Sequence, residues 1–170
     1  KLLNNRFVTV IGASGTGKSS LIYCGILPRV RKLETNGSEA WKIISFRPGN
    51  DPFGSLAEAM ADSSPSAGDK TEQMELIKKD LLSGPGGIIE AVRKMILRDG
   101  GKVLLVVDQF EELFRYSSLG KSDSTHEATS KFVDCLVSSV TQNTVNVFTI
   151  VTMRSDFIGE CAHYQGLTQL

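Results

Sequence analysis

The 170-residue chain has no apolar stretch approaching the roughly eighteen consecutive residues that a membrane-spanning helix requires. Its opening Lys1-Leu2-Leu3-Asn4 also lacks the layout of a secretory signal. Cysteine is scarce: Cys24, Cys135 and Cys161 are odd in number, far apart and without Cys-x-x-Cys spacing. That excludes a disulfide framework and a zinc site of the usual spacing, and points to a reducing compartment, the cytoplasm. Net charge is absent, with 19 basic residues against 19 acidic ones, so nothing in the balance indicates a nucleic-acid surface or an acidic membrane leaflet. Internal repeats are absent. An initiator Met is missing too, and Leu170 falls within a helical pattern, so residues 1–170 are expected to be one incomplete domain of a longer multidomain protein. With 41% hydrophobic residues, that single domain has enough apolar material for a core.

What is present begins with Gly12-Ala13-Ser14-Gly15-Thr16-Gly17-Lys18-Ser19 and the adjoining Ser20, between the apolar run Phe7 to Ile11 and a helical pattern. This reads as a phosphate-binding loop. The glycines allow positive φ and close backbone approach, so that successive N–H groups can point inward at a polyphosphate. Lys18 adds a mobile positive charge, and Ser19 offers a hydroxyl to Mg²⁺. The helix starting near Gly17 would set its free N–H groups and positive dipole end against the phosphate. The bland alternative is a glycine-rich turn that merely joins strand to helix.

Along the chain, Phe7 to Ile11 predicts a strand covered on both faces. Leu21, Ile22, Ile26 and Leu27 form a helical stripe that Pro28 is expected to end or kink. Ala40 to Phe46 predicts a second strand, closed by the turn formers Arg47 to Pro52. Helices follow around Phe53 to Met60, from Thr71 to Leu82 and from Ile88 to Arg98, separated by breakers at 62–70 and 83–87. Val103 to Val107 is the most buried-looking strand and ends in Asp108. Glu111 to Tyr116 predicts a helical turn or two, Ser117 to His126 a mobile loop, and Phe132 to Val140 an amphipathic helix. Val145 to Thr152 predicts the last strand, with Met153 to Phe157 opening a loop and helix. The alternation gives an α/β fold, a three-layer arrangement around a mostly or wholly parallel sheet.

Hydrolysis needs more than a phosphate loop: a metal site, and a group that orients water. Asp108, at a strand's carboxyl end where ligands collect in open α/β sheets, would share one Mg²⁺ with Ser19 if its strand and the first are neighbours; its plainer role is a turn or N-cap residue. Glu111 and Glu112 are candidates for polarising the attacking water, against a reading as a solvated helix start. Gln109, directly after Asp108, could orient water but cannot take its proton. Arg154 could contact the γ-phosphate and report its loss, or could simply form a surface ion pair with Asp156 or Glu160.

GASGTGKSSL at Gly12 to Leu21, FRPGNDPF at Phe46 to Phe53, VVDQFEELF at Val106 to Phe114 and VTMRSDFIGECAHYQGL at Val151 to Leu167 together resemble the NTPase core of the STAND class. The novel STAND group, often found upstream of WD-repeat domains, matches best. The resemblance implies a P-loop core with an added strand between the usual neighbours of the phosphate-loop and metal-carboxylate strands, as in AAA-like ATPases. It implies ATP or GTP with Mg²⁺, slow hydrolysis and a nucleotide-dependent conformational switch in signalling or assembly. By the same resemblance Lys18 and Ser19 match the phosphate and metal contacts, Asp108 the metal acid, Glu111 the acidic position three residues on, and Arg154 the sensor arginine. A last core strand, a helical lid and a winged-helix region would lie downstream. The partners implied are the nucleotide and other domains of the same protein, WD repeats among them, with a nucleotide-dependent oligomer left open.

Two other functions compete. A P-loop kinase for a small molecule would need a basic lid, and the one basic cluster, Arg29 to Lys32, directly follows the first helix. A scaffold holding nucleotide for stability alone is favoured by Gln109, an amide where many related ATPases carry an acid.

Overall fold

The apolar runs become the strands of one sheet. The computed structural model describes residues 5–34, 40–63, 69–119, 123–142, 144–164 and 166–170. Strands β1 (Phe7–Gly12), β2 (Trp41–Phe46), β3 (Lys102–Val107) and β4 (Val147–Arg154) pair in parallel in the order β1-β4-β3-β2. Helix α1 begins as Lys18–Ser20, passes through a π-helical stretch at Leu21–Ile26 and regains α form over Leu27–Glu34. The other helices are α2 (Pro52–Ser63), α3 (Lys70–Leu81), α4 (Gly87–Asp99), α5 (Glu112–Leu119), α6 (Asp123–Thr141) and the short α7 (Ile158–Cys161).

Two cores lie on opposite faces of the sheet, and β3 supplies both because its alternate side chains point to opposite sides. Val103, Leu105 and Val107 pack with Phe53, Leu56, Val92, Phe132 and Leu136 of α2, α4 and α6. Leu104 and Val106 pack with Ile22, Leu27 and Val30 of α1, beside Trp41 and Phe148. That is the three-layer arrangement, and it explains why β3 reads as an unbroken apolar run. Phe132 sits edge-on to both Phe46 and Phe53, so one ring joins α6 to β2 and α2.

Local chemistry sets several boundaries. Asp69 caps α3 by accepting from the Thr71 N–H at 2.8 Å. Gly87 opens α4 where a Cβ would lie 2.1 Å from the Leu81 carbonyl oxygen, so only glycine lets α4 follow α3 this closely.

Three expectations are corrected. Pro28 does not end the first helix, which continues to Glu34. The turn before it widens instead into π form, with the Leu27 N–H donating to Ile22 O, one residue farther back than an α-helix would reach. The polar stretch 117–126 is not simply a loop: α5 runs to Leu119 and α6 starts at Asp123, and only positions 120–122 of that stretch lie outside the described residues. Burial of Phe132, Val133 and Leu136 anchors α6, and helix propagation carries its polar N-terminal turns. The last strand is set two residues later than the apolar run indicates, ending in Arg154 itself. The breaker expected at 62–70 falls partly on 64–68, outside the described residues.

Candidate nucleotide site

Parallel register gathers the chemistry at one edge. Gly12 pairs with Arg154, Val107 with Val151, and Phe46 with Val107, so the turns after β1, β2, β3 and β4 all open at the carboxyl end of the sheet. The strand carrying the glycine loop and the strand ending in Asp108 are not neighbours, because β4 lies between them. Their side chains meet nonetheless: Ser19 Oγ donates to Asp108 Oδ1 at 2.8 Å. The extra strand is bridged because Ser19 projects from the start of α1 rather than from β1.

Asp108 is buried, at 1% exposure, and heavily bonded. Its Oδ1 also accepts from Thr152 Oγ1 at 2.6 Å, and its Oδ2 faces Arg47 Nε at 3.4 Å. Hydrogen bonds to a charged group are each worth about 1.5–3 kcal/mol, so these partners fix the carboxylate's orientation. The turn behind it is pinned as well: Asp108 N–H donates to Phe46 O and Phe110 N–H to Thr152 O, both at 2.9 Å. Between them Gln109 adopts a positive φ of 58°, uncommon outside glycine, and its N–H reaches Thr152 Oγ1 at 2.9 Å.

The loop itself has the geometry of a cradle. Gly15 and Gly17 carry φ of 75° and 79°, and a Cβ on Gly12 would stand 2.9 Å from Thr16 Oγ1. Thr16 Oγ1 donates back to Ala13 O at 2.8 Å. Lys18 does not stand free: its Nζ donates to Gly12 O at 2.9 Å and Ala13 O at 2.8 Å, folding the cation over the loop. Residues Ser14 to Ser20, with Gln109, Glu111, Thr152 and Arg154, line a cleft of about 320 Å³.

The three remaining sequence candidates part company here. Glu111 is buried against the cleft, its Oε2 accepting from Arg154 N–H at 3.3 Å. Glu112 is not among the cleft's lining residues; its Oε2 accepts from Gly49 N–H at 3.1 Å and ties down the loop after β2. Arg154 lies over the Phe157 ring at 5.8 Å and bonds Asp156 through one terminal nitrogen, while its Nε is buried with no partner. The bland surface pair with Asp156 is therefore formed, and an unpaired donor is left beside it. That bond holds the Asp156 carboxyl below the usual carboxylate range.

Thr152 and Arg47 are the site residues that sequence reasoning passed over. Arg47 could have been found from position: it is the residue after β2, as Asp108 is the residue after the neighbouring β3. Thr152 could not, since a threonine inside a strand is ordinary.

Residues 1–170, the whole chain, match the family model described as Novel STAND NTPase 1. The chain belongs to this family. No curated protein matches it. As a STAND NTPase it is a nucleotide-binding NTPase module, and the NTPase character implies a nucleotide and a metal. The residues fit both groups. Thr16 fills the space a Cβ on Gly12 would need, the unpartnered Arg154 Nε lies at the cleft, and Ser19 with Asp108 offers the hard oxygens Mg²⁺ prefers, few enough to leave positions for phosphate and water. Among the described residues no helix is long and apolar enough to cross a membrane.

Proposed function

We propose that this STAND NTPase binds ATP or GTP with Mg²⁺, hydrolyses it slowly and uses the change of contacts as a conformational switch in a signalling or assembly protein. The observation that carries the reading is the 2.8 Å bond from Ser19 to Asp108, which joins the glycine loop to the end of β3 across an intervening strand. On this reading the N–H groups from Gly12 to Ser20 and the Lys18 ammonium hold the phosphates, Lys18 exchanging its two carbonyl partners for phosphate oxygens. Ser19 and Asp108 would hold the cation, which neutralises phosphate charge when bound.

Glu111 is the better of the two glutamates for positioning water, because it lines the cleft while Glu112 is engaged with Gly49. Gln109, also on the cleft, can orient the same water without taking its proton. Arg154 is the reading's sensor: a γ-phosphate competes with Asp156 for its guanidinium and satisfies its free Nε. Adjoining domains, WD repeats among them, a nucleotide-dependent oligomer and a cytoplasmic location belong to the same proposal. A scaffold that holds nucleotide without turnover is the second reading, favoured by the amide of Gln109.

Turnover of ATP and GTP by the full-length protein, with and without small-molecule acceptors, separates the readings. A switch hydrolyses slowly alone, a kinase turns over only with acceptor, and a scaffold does neither.

A further inference from the structure

We infer that Arg47 sets how much Mg²⁺ the site demands: its guanidinium already faces the second oxygen of Asp108, and a divalent cation must share that carboxylate with it. The inference rests on the proposed reading of Ser19 and Asp108 as the metal-side pair.

The two oxygens of Asp108 have separate partners. Oδ1 is held by Ser19 at 2.8 Å and Thr152 at 2.6 Å, whereas Oδ2 meets Arg47 Nε at 3.4 Å. Arg47 does not line the nucleotide cleft. It lines a groove of about 520 Å³ between β2 and α2, together with Ser45, Ser55 and Glu58. The Asp108 side chain is 1% exposed and that of Arg47 is 61% exposed, so the carboxylate is fixed while the guanidinium can leave into water.

Two opposed effects follow from the pair. A buried carboxylate without a counter-charge is costly, so in the metal-free protein Arg47 stabilises Asp108. Once a divalent cation arrives, the same guanidinium is a like charge on the other oxygen of one carboxylate, and repulsion weakens metal binding. Orientation does not offset this repulsion, because Ser19 and Thr152 hold Oδ1 whether or not Arg47 is present. The backbone after Arg47 is independently tied down, by the Gly49 N–H to Glu112 and by Ser55 Oγ to Pro48 O at 3.3 Å. Arg47 can therefore be exchanged without releasing its loop.

The test is calorimetric binding of a non-hydrolysable ATP analogue to the full-length protein over a series of free Mg²⁺ concentrations. Arg47→Gln and Arg47→Met should each lower the Mg²⁺ concentration for half-maximal gain in affinity by roughly two- to fivefold, the worth of one partly exposed ion pair. Arg47→Lys, which keeps the charge, should match wild type. Without Mg²⁺ and nucleotide, Arg47→Gln should melt at a lower temperature than wild type, and Mg²⁺ with the analogue should narrow that gap. Asp108→Asn should lose most of the Mg²⁺ effect. If Asp108→Asn keeps the wild-type Mg²⁺ dependence, the metal-side reading itself fails, and the inference with it. If Asp108→Asn loses that dependence while both neutral Arg47 variants track wild type, require more Mg²⁺, or are matched by Arg47→Lys, the inference about Arg47 alone is overturned.

Discussion

Gly12 and Arg154 stand side by side in the β1–β4 ladder, the last residue of one strand against the last residue of the other. The proposed sensor is thus built into the strand that touches the start of the glycine loop, and its neighbours in sequence, Ser155 to Phe157, leave the sheet at once in a 3-10 turn.

Arg154→Ala should therefore reduce the preference for triphosphate over diphosphate while leaving diphosphate affinity nearly unchanged. One charge-assisted contact to a phosphate is worth about 1.5–3 kcal/mol, enough to shift a two-state balance roughly tenfold or more. Titration of both nucleotides by calorimetry measures the ratio, and an equal ratio in mutant and wild type would make Arg154 an ordinary partner of Asp156.

The same pair gives a pH signature. The Arg154 hydrogen bond depresses the Asp156 carboxyl, so the stability this pair adds is present above the ordinary aspartate range and is lost as pH falls through the lowered value. In Arg154→Ala the Asp156 carboxyl should titrate at higher pH than in wild type, read from its side-chain NMR shift. An unmoved titration would show that the contact does not persist in solution.

Gly17 sits at the start of α1 with φ of 79°. Any other residue there pays the left-handed penalty, so Gly17→Ala should cost on the order of 1–2 kcal/mol of stability. It should also weaken nucleotide binding by tilting the loop's N–H groups, an effect absent from a Gly100→Ala control at φ of 71° after α4. Equal nucleotide affinity in the two variants would remove the loop-geometry argument.

The fold was largely legible because its signals are local. Five apolar residues before Asp108, or a proline and glycine cluster after Phe46, mark a strand and its end without knowledge of neighbours. What the sequence concealed depends on pairing order. The residues alone let Ser19 and Asp108 share one cation only if their strands are neighbours; β4 separates those strands, and Ser19 reaches across from α1 instead. Glu111 and Glu112 are adjacent in sequence and equivalent in composition. The turn after β3 sends one to the cleft and the other to Gly49. Arg47 was hidden for the opposite reason, since among turn formers it looked like part of a loop.

Phe132 links three elements of the larger core, edge-on to Phe46 and Phe53, and is fully buried. Phe132→Ala should cost about 3–5 kcal/mol of unfolding free energy, the transfer term plus the cavity left behind. Chemical denaturation measures it, and a loss below about 1 kcal/mol would mean that α6 does not depend on this ring.

Whether the glycine loop holds a triphosphate is decided by the triphosphate affinity of Lys18→Ala against wild type, measured on the full-length protein with Mg²⁺. Lys18 holds only the Gly12 and Ala13 carbonyls at a solvent-exposed loop, so its removal should cost within about 1 kcal/mol of stability. Loss of its charge-assisted phosphate contact should weaken triphosphate binding by roughly ten- to a hundredfold. The expected result is that large loss of affinity with a nearly unchanged melting temperature in the absence of nucleotide; equal affinity in the two proteins would show that Lys18 does not hold the phosphates.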